Sequence, residues 1–254
     1  MAIDTMKLHI LKGYIQNIYL VEYDHGLLLL DGCCRPDIKT VQRFIEDDLH
    51  RALSDLKLVV VTHMHPDHAG GAHGLRQLTG CKIASGLSQR HWYGGVSGVL
   101  MHLTDIGLSL YMASRLGRPL KNLWYARKLK PDLSLADGDT LPGFNDWRVF
   151  DTHGHTDRDI SLMHEPSARI YVADLIVKVR QKFITPWPLF HPNRYRASVE
   201  KVKQLQPDFV LLAHGGEIAV TPEHACFDVH TPTLPRTHWR AVKTRVRQVL
   251  LRTK

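Results

Sequence analysis

No Gly-x-Ser-x-Gly elbow, no phosphate-cradling glycine loop and no Cys-x-x-Cys pair occurs in the 254 residues. The first absence removes a serine nucleophile on a strand-to-helix turn, the second a nucleotide cradle, and the third a cysteine-based zinc ribbon or dithiol centre. The four cysteines, Cys33, Cys34, Cys81 and Cys226, are read as reduced and structural. Uninterrupted apolar runs stay far short of the ~18 residues that a membrane span needs, and the amino terminus lacks the basic-then-apolar order of a secretory signal, so a cytoplasmic protein is expected. Acids are missing from residues 236–254, where Arg236, Arg240, Lys243, Arg245, Arg247, Arg252 and Lys254 carry seven charges of a chain whose formal net charge is +8. Trp239, Val242, Val246 and Val249 recur there at near-helical spacing, which describes a basic amphipathic tail suited to peripheral contact with anionic lipid, nucleic acid or an acidic partner.

What the chain does have is metal chemistry. Residues 62–71 read Thr-His-Met-His-Pro-Asp-His-Ala-Gly-Gly, directly after the apolar run Leu58 to Val61. Imidazoles and a carboxylate suit zinc and similar divalent ions, and four donors crowded at one strand end exceed what one ion needs. The spacing lets His63 and His65 face one ion while Asp67 and His68 turn to a neighbour, with Pro66 and the Gly70-Gly71 pair expected to help the loop turn. The bland reading is a surface cluster in a chain with 17 histidines, and the strand placement argues against it.

At these residues the chain resembles the metallo-β-lactamase superfamily, whose HxHxDH signature is matched by His63, His65, Asp67 and His68. The resemblance spans about residues 8–220 and implies three downstream donors, for which the candidates are His155, Asp174 and His214. It implies His63, His65 and His155 on a first metal, Asp67, His68 and His214 on a second, and Asp174 bridging both. His153 competes with His155, which is preferred because Gly-His-Thr fits the family's order. Alone, His214 would read as a structural histidine and Asp174 as a turn or cap residue. Asp31 is expected to support a ligating histidine rather than to ligate.

Short apolar strands are predicted at Tyr19 to Tyr23, Leu27 to Asp31, Leu58 to Thr62, Trp147 to Asp151, Ile160 to His164, Ile170 to Ala173 and Phe209 to Ala213. Helices are predicted near Ile38 to Leu53 and Arg196 to Leu205. With 44% apolar residues the chain can bury a sizeable core, and one hydrolase domain over 1–235 is expected, followed by the 236–254 tail. The alternation argues an α/β fold, α+β in some schemes, and the resemblance implies a four-layer αβ/βα sandwich with metals along one edge. Residues 91–130 look like an insertion: Val99, Leu100, Leu103, Ile106, Leu108, Leu110, Tyr111, Met112 and Leu116 suggest a helix with a broad apolar face, interrupted at Gly107, that lids the metal cleft or packs on the core or a second copy.

Together these features imply a dinuclear zinc hydrolase, with iron or manganese as the other ions such donors accept, in which the ions acidify a water and polarise the bond being broken. Asp67 and Asp174 are the expected catalytic carboxylates, orienting that water or handling its proton. The expected substrate is a small, acylated carboxylic ester, lactone or thioester, with acyl lactones as one class. A glyoxalase II-like thioesterase is the alternative, followed by a phosphodiesterase or nuclease, a β-lactam hydrolase and a mononuclear-iron sulfur dioxygenase. Nucleic acid is not the expected partner, and a homodimer is compatible with the apolar insertion.

Overall fold

The structure is a computed structural model, and it describes residues 6–221 and 226–237. The first sheet takes strands in the order β1 (Lys7–Lys12), β2 (Asn17–Tyr23), β3 (Gly26–Leu29), β4 (Leu56–Val61), β5 (Lys82–Gly86) and β6 (Leu133–Leu135). Strands β1 to β3 form an antiparallel meander, whereas β3 to β6 run parallel. The second sheet contains β7 (Thr140–Leu141), β8 (Phe144–Asp151), β9 (Ile160–His164), β10 (Arg169–Tyr171), β13 (Phe209–Leu212) and β14 (Gly216–Ala219), in the order β14-β13-β10-β9-β8-β7. A small separate hairpin joins β11 (Val177–Val179) to β12 (Lys182–Ile184).

Side-chain alternation explains why these strands stack. Tyr19, Val21, Leu28, Leu30, Leu58 and Val60 of the first sheet meet Trp147, Val149, Leu162, Tyr171 and Leu211 of the second in one buried cluster. Their sequence neighbours Leu20, Leu27, Leu29, Val59 and Val61 point the other way, toward helices α1 (Ile38–Arg43) and α3 (Ala72–Thr79) through Val41 and Leu75. Ile170, Val210 and Leu212 likewise cover Tyr195, Val199 and Val202 of helix α5 (Pro192–Gln204). Strands buried on both faces need continuous apolar runs, as in Leu-Val-Val-Val of β4 and Leu-Leu-Leu of β3. The expected four-layer αβ/βα sandwich is the architecture observed.

Two expectations change. The helix predicted from Ile38 to Leu53 is shorter: α1 passes into one wider π-type turn at Phe44–Asp48, and His50, in the left-handed region at φ 52°, stops it. Helix α4 (Gly95–Arg115) runs on through the expected interruption, because Gly107 lies on its exposed side, with nothing outside the helix within 4 Å of where a Cβ would stand. Among the described residues α4 is the one helix long and apolar enough, by length and composition, to cross a membrane. Of the predicted tail only Arg236 and Thr237 are described; the backbone of Arg236 pairs with that of Leu189, and residues 238–254 lie outside the described residues.

Candidate metal centre

Strand β4 delivers the motif. After Val61 the chain runs through Thr62 to His65 and enters the one-turn helix α2 (Pro66–Ala69), with Pro66 at its first position. The two glycines that follow do not serve the turn: Gly70 and Gly71 have ordinary φ values of −61° and −91°. They are small because the loop lies against β3's exit, where a Cβ on Gly71 would stand 2.7 Å from the Gly32 carbonyl oxygen and 2.8 Å from Cys33 Sγ. The Gly32 and Gly71 amides complete this contact by donating to the carbonyls of His68 and Gly32.

Seven donors converge here in two clusters, His63, His65, His155 and Asp174 in one and Asp67, His68 and His214 in the other. In the first, His65 Nδ1 lies 3.1 Å from His63 Nε2 and 2.9 Å from His155 Nε2. The far nitrogens of His63 and His155 are already committed. His63 Nδ1 is 3.2 Å from Thr62 Oγ1, whose own proton goes to Asp31, and His155 Nδ1 donates to the Pro188 carbonyl at 2.6 Å. Burial, reinforced by neighbouring imidazoles, holds His63 well below the ordinary histidine pKa and His65 at about 3, so both rings are neutral at pH 7. With the protons of His63 and His155 on their far nitrogens, two lone pairs converge on His65 Nδ1, an arrangement that fits a shared cation.

In the second cluster His214 Nε2 is 3.2 Å from Asp67 Oδ2 and 3.5 Å from Asp174 Oδ1, and His68 Nε2 is 3.3 Å from Asp174 Oδ1. Neither His68 Nε2 nor Asp174 Oδ1 makes a hydrogen bond although both are buried. Burial opposes charge on His68 and His214, yet the surrounding carboxylates outweigh it and raise both pKa values. Asp67 and Asp174 are conversely held below the usual carboxylate range by these histidines, against the effect of burial. Orphaned polar atoms in a pocket built to stabilise positive charge fit a pair of divalent ions. Asp174 reaches both clusters, its Oδ2 being 3.4 Å from His155 Nε2.

The supports come from loops that sequence places far apart. Asp31, at the end of β3, takes the His68 Nδ1 proton at 2.6 Å and is itself fixed by Thr62 Oγ1 at 2.7 Å and Tyr171 OH at 3.0 Å. Such a carboxylate sets the tautomer of its histidine and raises its basicity. The Asp159 carboxylate holds the 154–156 loop through the amides of Gly154 and Thr156 and the Thr156 hydroxyl. Gly154, at φ 151°, is obligatory there, because a Cβ would come within 2.4 Å of Tyr195 Cα. His153 turns away from the clusters and lies 3.7 Å from Asp151. His214 Nδ1 donates to the Ile15 carbonyl at 3.2 Å, and the Gln16 amide donates to the Asp67 carbonyl, tying the β1–β2 turn to the site.

One participant was missed by the motif reading. Asp105, in the middle of α4, is 4% exposed and places Oδ2 3.7 Å from His65 Nε2, the one outward nitrogen of the first cluster without a hydrogen bond. Tyr93 OH donates to it at 2.8 Å, Tyr125 OH lies 3.3 Å beyond, and Tyr125 donates in turn to the Met64 carbonyl inside the motif loop. Burial pushes the Asp105 carboxyl up to about 7. The available signal was the polar series His102, Asp105 and Ser109, at helical spacing in an otherwise uncharged stretch.

Comparison with known proteins agrees with this geometry. The family described as the metallo-beta-lactamase superfamily matches residues 11–214. The chain belongs to the metallo-beta-lactamase superfamily, and its class is that of the metal-dependent hydrolases. It is 27% identical over 230 residues to the probable metallo-hydrolase YqjP of Bacillus subtilis (strain 168), covering 79% of this chain and 67% of that one. An archaeal superfamily member from Sulfolobus tokodaii shares the fold with a TM-score of 0.60 at 18% identity, over 84% of this chain and 81% of its own. TTHA1623, seen in a di-iron-bound form, aligns with a TM-score of 0.56 at 19% identity, over 84% and 94% of the two chains.

Proposed function

We propose that the protein is a dinuclear-metal hydrolase of a carboxylic ester, lactone or thioester, with an acylated small molecule as substrate. The observation that carries this reading is the pair of donor clusters joined by Asp174. His63, His65 and His155 would hold one ion, Asp67, His68 and His214 the other, and Asp174 both. Two divalent ions in that position supply an acidified water and polarise the scissile bond. Asp67 and Asp174 orient the attacking water and accept its proton, while Asp31 fixes the tautomer of His68. The imidazole-rich donor set favours zinc, and the di-iron form of the similarly folded TTHA1623 keeps iron in the comparison.

Acyl lactones and thioesters suit the pocket that Trp92 and Leu129 of the 91–130 insertion share with His63 and Met64. The test pairs elemental analysis with hydrolysis rates on acyl lactones, thioesters, β-lactams and aryl phosphodiesters. Near two ions per chain and lactone or thioester turnover that Asp67→Ala abolishes are expected. One iron per chain without hydrolysis overturns the reading, and a phosphodiester preference moves the substrate class to nucleotides.

A further inference from the structure

Helix α4 buries its polar positions most deeply, with only Met101, Ile106 and Leu110 among its large apolar residues packed part-buried on the core. Its buried stripe is Gly98, His102, Asp105, Ser109 and Ala113, small or polar at every position. Its outward face carries Val96, Val99, Leu100, Leu103, Tyr111 and Met112, which are 82, 38, 47, 47, 59 and 49% exposed. Between Gly95 and Ser114 the single charged residue is Asp105, and it is buried, so about five turns of solvent-facing helix carry no charge. The apolar surface continues past the helix in Leu116, Leu120 and Trp124, exposed by 54, 73 and 57%. An apolar surface of this extent marks a contact with another body.

The charges around it say which body. Residues 90–130 contain seven cations against the one buried acid; Arg127 is tied to the Tyr93 carbonyl, and Arg115, Arg118 and Lys121 lie among the exposed Leu116, Leu120 and Trp124. A second copy of this chain docked face to face would bring two cationic rims together, whereas an anionic surface is their complement. Apolar residues bordered by cations are the composition of a helix that lies in a membrane interface. Crossing the bilayer instead would pull Asp105 from Tyr93 and His65 and expose the polar stripe to hydrocarbon.

We propose that the outer face of α4, with Leu116, Leu120 and Trp124, docks in the interface of an anionic lipid bilayer. Because the opposite face of α4 rests on His65 through Asp105, docking brings the metal clusters to the membrane and favours substrates that partition there. The docking itself does not depend on which bond the site hydrolyses.

The experiment uses the full chain, loaded with metal, and sedimentation with vesicles of phosphatidylcholine, with or without phosphatidylglycerol. Binding to the anionic vesicles that falls roughly tenfold or more in Leu100→Glu/Leu103→Glu, and comparably in Arg115→Glu/Arg118→Glu, supports the proposal. A blue shift of tryptophan emission on vesicle addition, absent in Trp124→Phe, assigns the contact to this face rather than to residues 238–254. Circular dichroism and metal content check folding, and Val96→Ser/Leu120→Ser is the milder pair should the glutamates disturb it. Three results overturn the proposal: no partition of the wild type, partition that every variant retains, or a dimer by light scattering that Leu100→Glu/Leu103→Glu dissolves while vesicles pellet nothing. Failure of hydrolysis with intact partition would overturn the enzymatic reading alone.

Discussion

Helices α4 and α5 flank the same metal centre and obey opposite rules. In α5 the inward residues are Tyr195, Val199 and Val202, and Arg194, Arg196, Glu200 and Lys203 face water. In α4 the fully buried positions are small or polar, while Met101, Ile106 and Leu110 are half-buried against the core and most of the other large apolar residues are exposed. Both show helical periodicity, and periodicity reports only that two unlike stripes exist. Which stripe turns inward depends on what waits underneath. Under α5 lies an apolar sheet face with Ile170 and Val210. Under α4 lie the histidine-rich loop of His63 to His68 and two tyrosine hydroxyls, and those need polar partners more than they need oil.

The comparison breaks most sharply at the buried stripe of α5. Tyr195→Ala removes a fully buried ring and its hydrogen bond to the Leu175 carbonyl, and should cost about 3–5 kcal/mol in denaturant unfolding. A loss below ~1 kcal/mol would show that this face is not the conventional one. The corresponding change in α4, Asp105→Asn, keeps an acceptor for Tyr93 but withdraws the charge that faces His65. Metal affinity in chelator competition should drop by roughly 10–100-fold while the unfolding midpoint of the metal-free protein barely moves. Unchanged affinity would reduce Asp105 to a packing group.

The two donor clusters differ in the same spirit: in the one under α4 burial lowers the pKa values of His63 and His65, and in the other the neighbouring carboxylates raise those of His68 and His214. A histidine must lose its proton to ligate, so a raised pKa lets protons compete at higher pH. On acidification through the ordinary histidine range, ~6.5, one ion should leave before the other, and spectroscopy of a cobalt-substituted protein should place the first loss at Asp67, His68 and His214. Simultaneous loss would mean that the clusters titrate as one. The smallest effect belongs to the outer face of α4, where Leu103→Glu should change stability by less than ~0.5 kcal/mol in the absence of membranes.

The sequence was easiest to read where the chemistry is local. His63, His65, Asp67 and His68 fall within six positions, and the structure gathers His155, Asp174 and His214, which follow β8, β10 and β13, around them. The central strands were legible because both their faces are buried, which leaves uninterrupted Leu-Val runs. Short or edge strands such as β7, β12 and β14 are partly or wholly open to solvent and carry no such mark. Asp105 escaped because its partner lies 40 positions earlier, and no local pattern encodes a contact between a helix and a loop. The glycines after the motif were assigned to turning when they serve close approach, a distinction that φ angles and neighbours make and composition does not. The exposure of α4's apolar stripe was equally hidden, since amphipathicity has no sign until the helix is docked.

The seam between the two sheets is fastened differently at its two ends. Its middle is held by Tyr19, Leu28 and Val60 against Trp147, Leu162 and Leu211, while one rim carries the donors drawn from loops of both sheets. Ions held there would act as cross-links between distant stretches of chain, much as a disulfide would, in a protein whose four cysteines are all free. Chelation should therefore unzip the molecule from that rim, with amide exchange quickening first in the loops of His65, His155 and His214 and last in β3 and β4. What looks like a site for chemistry is also the clasp that joins one half of the chain to the other.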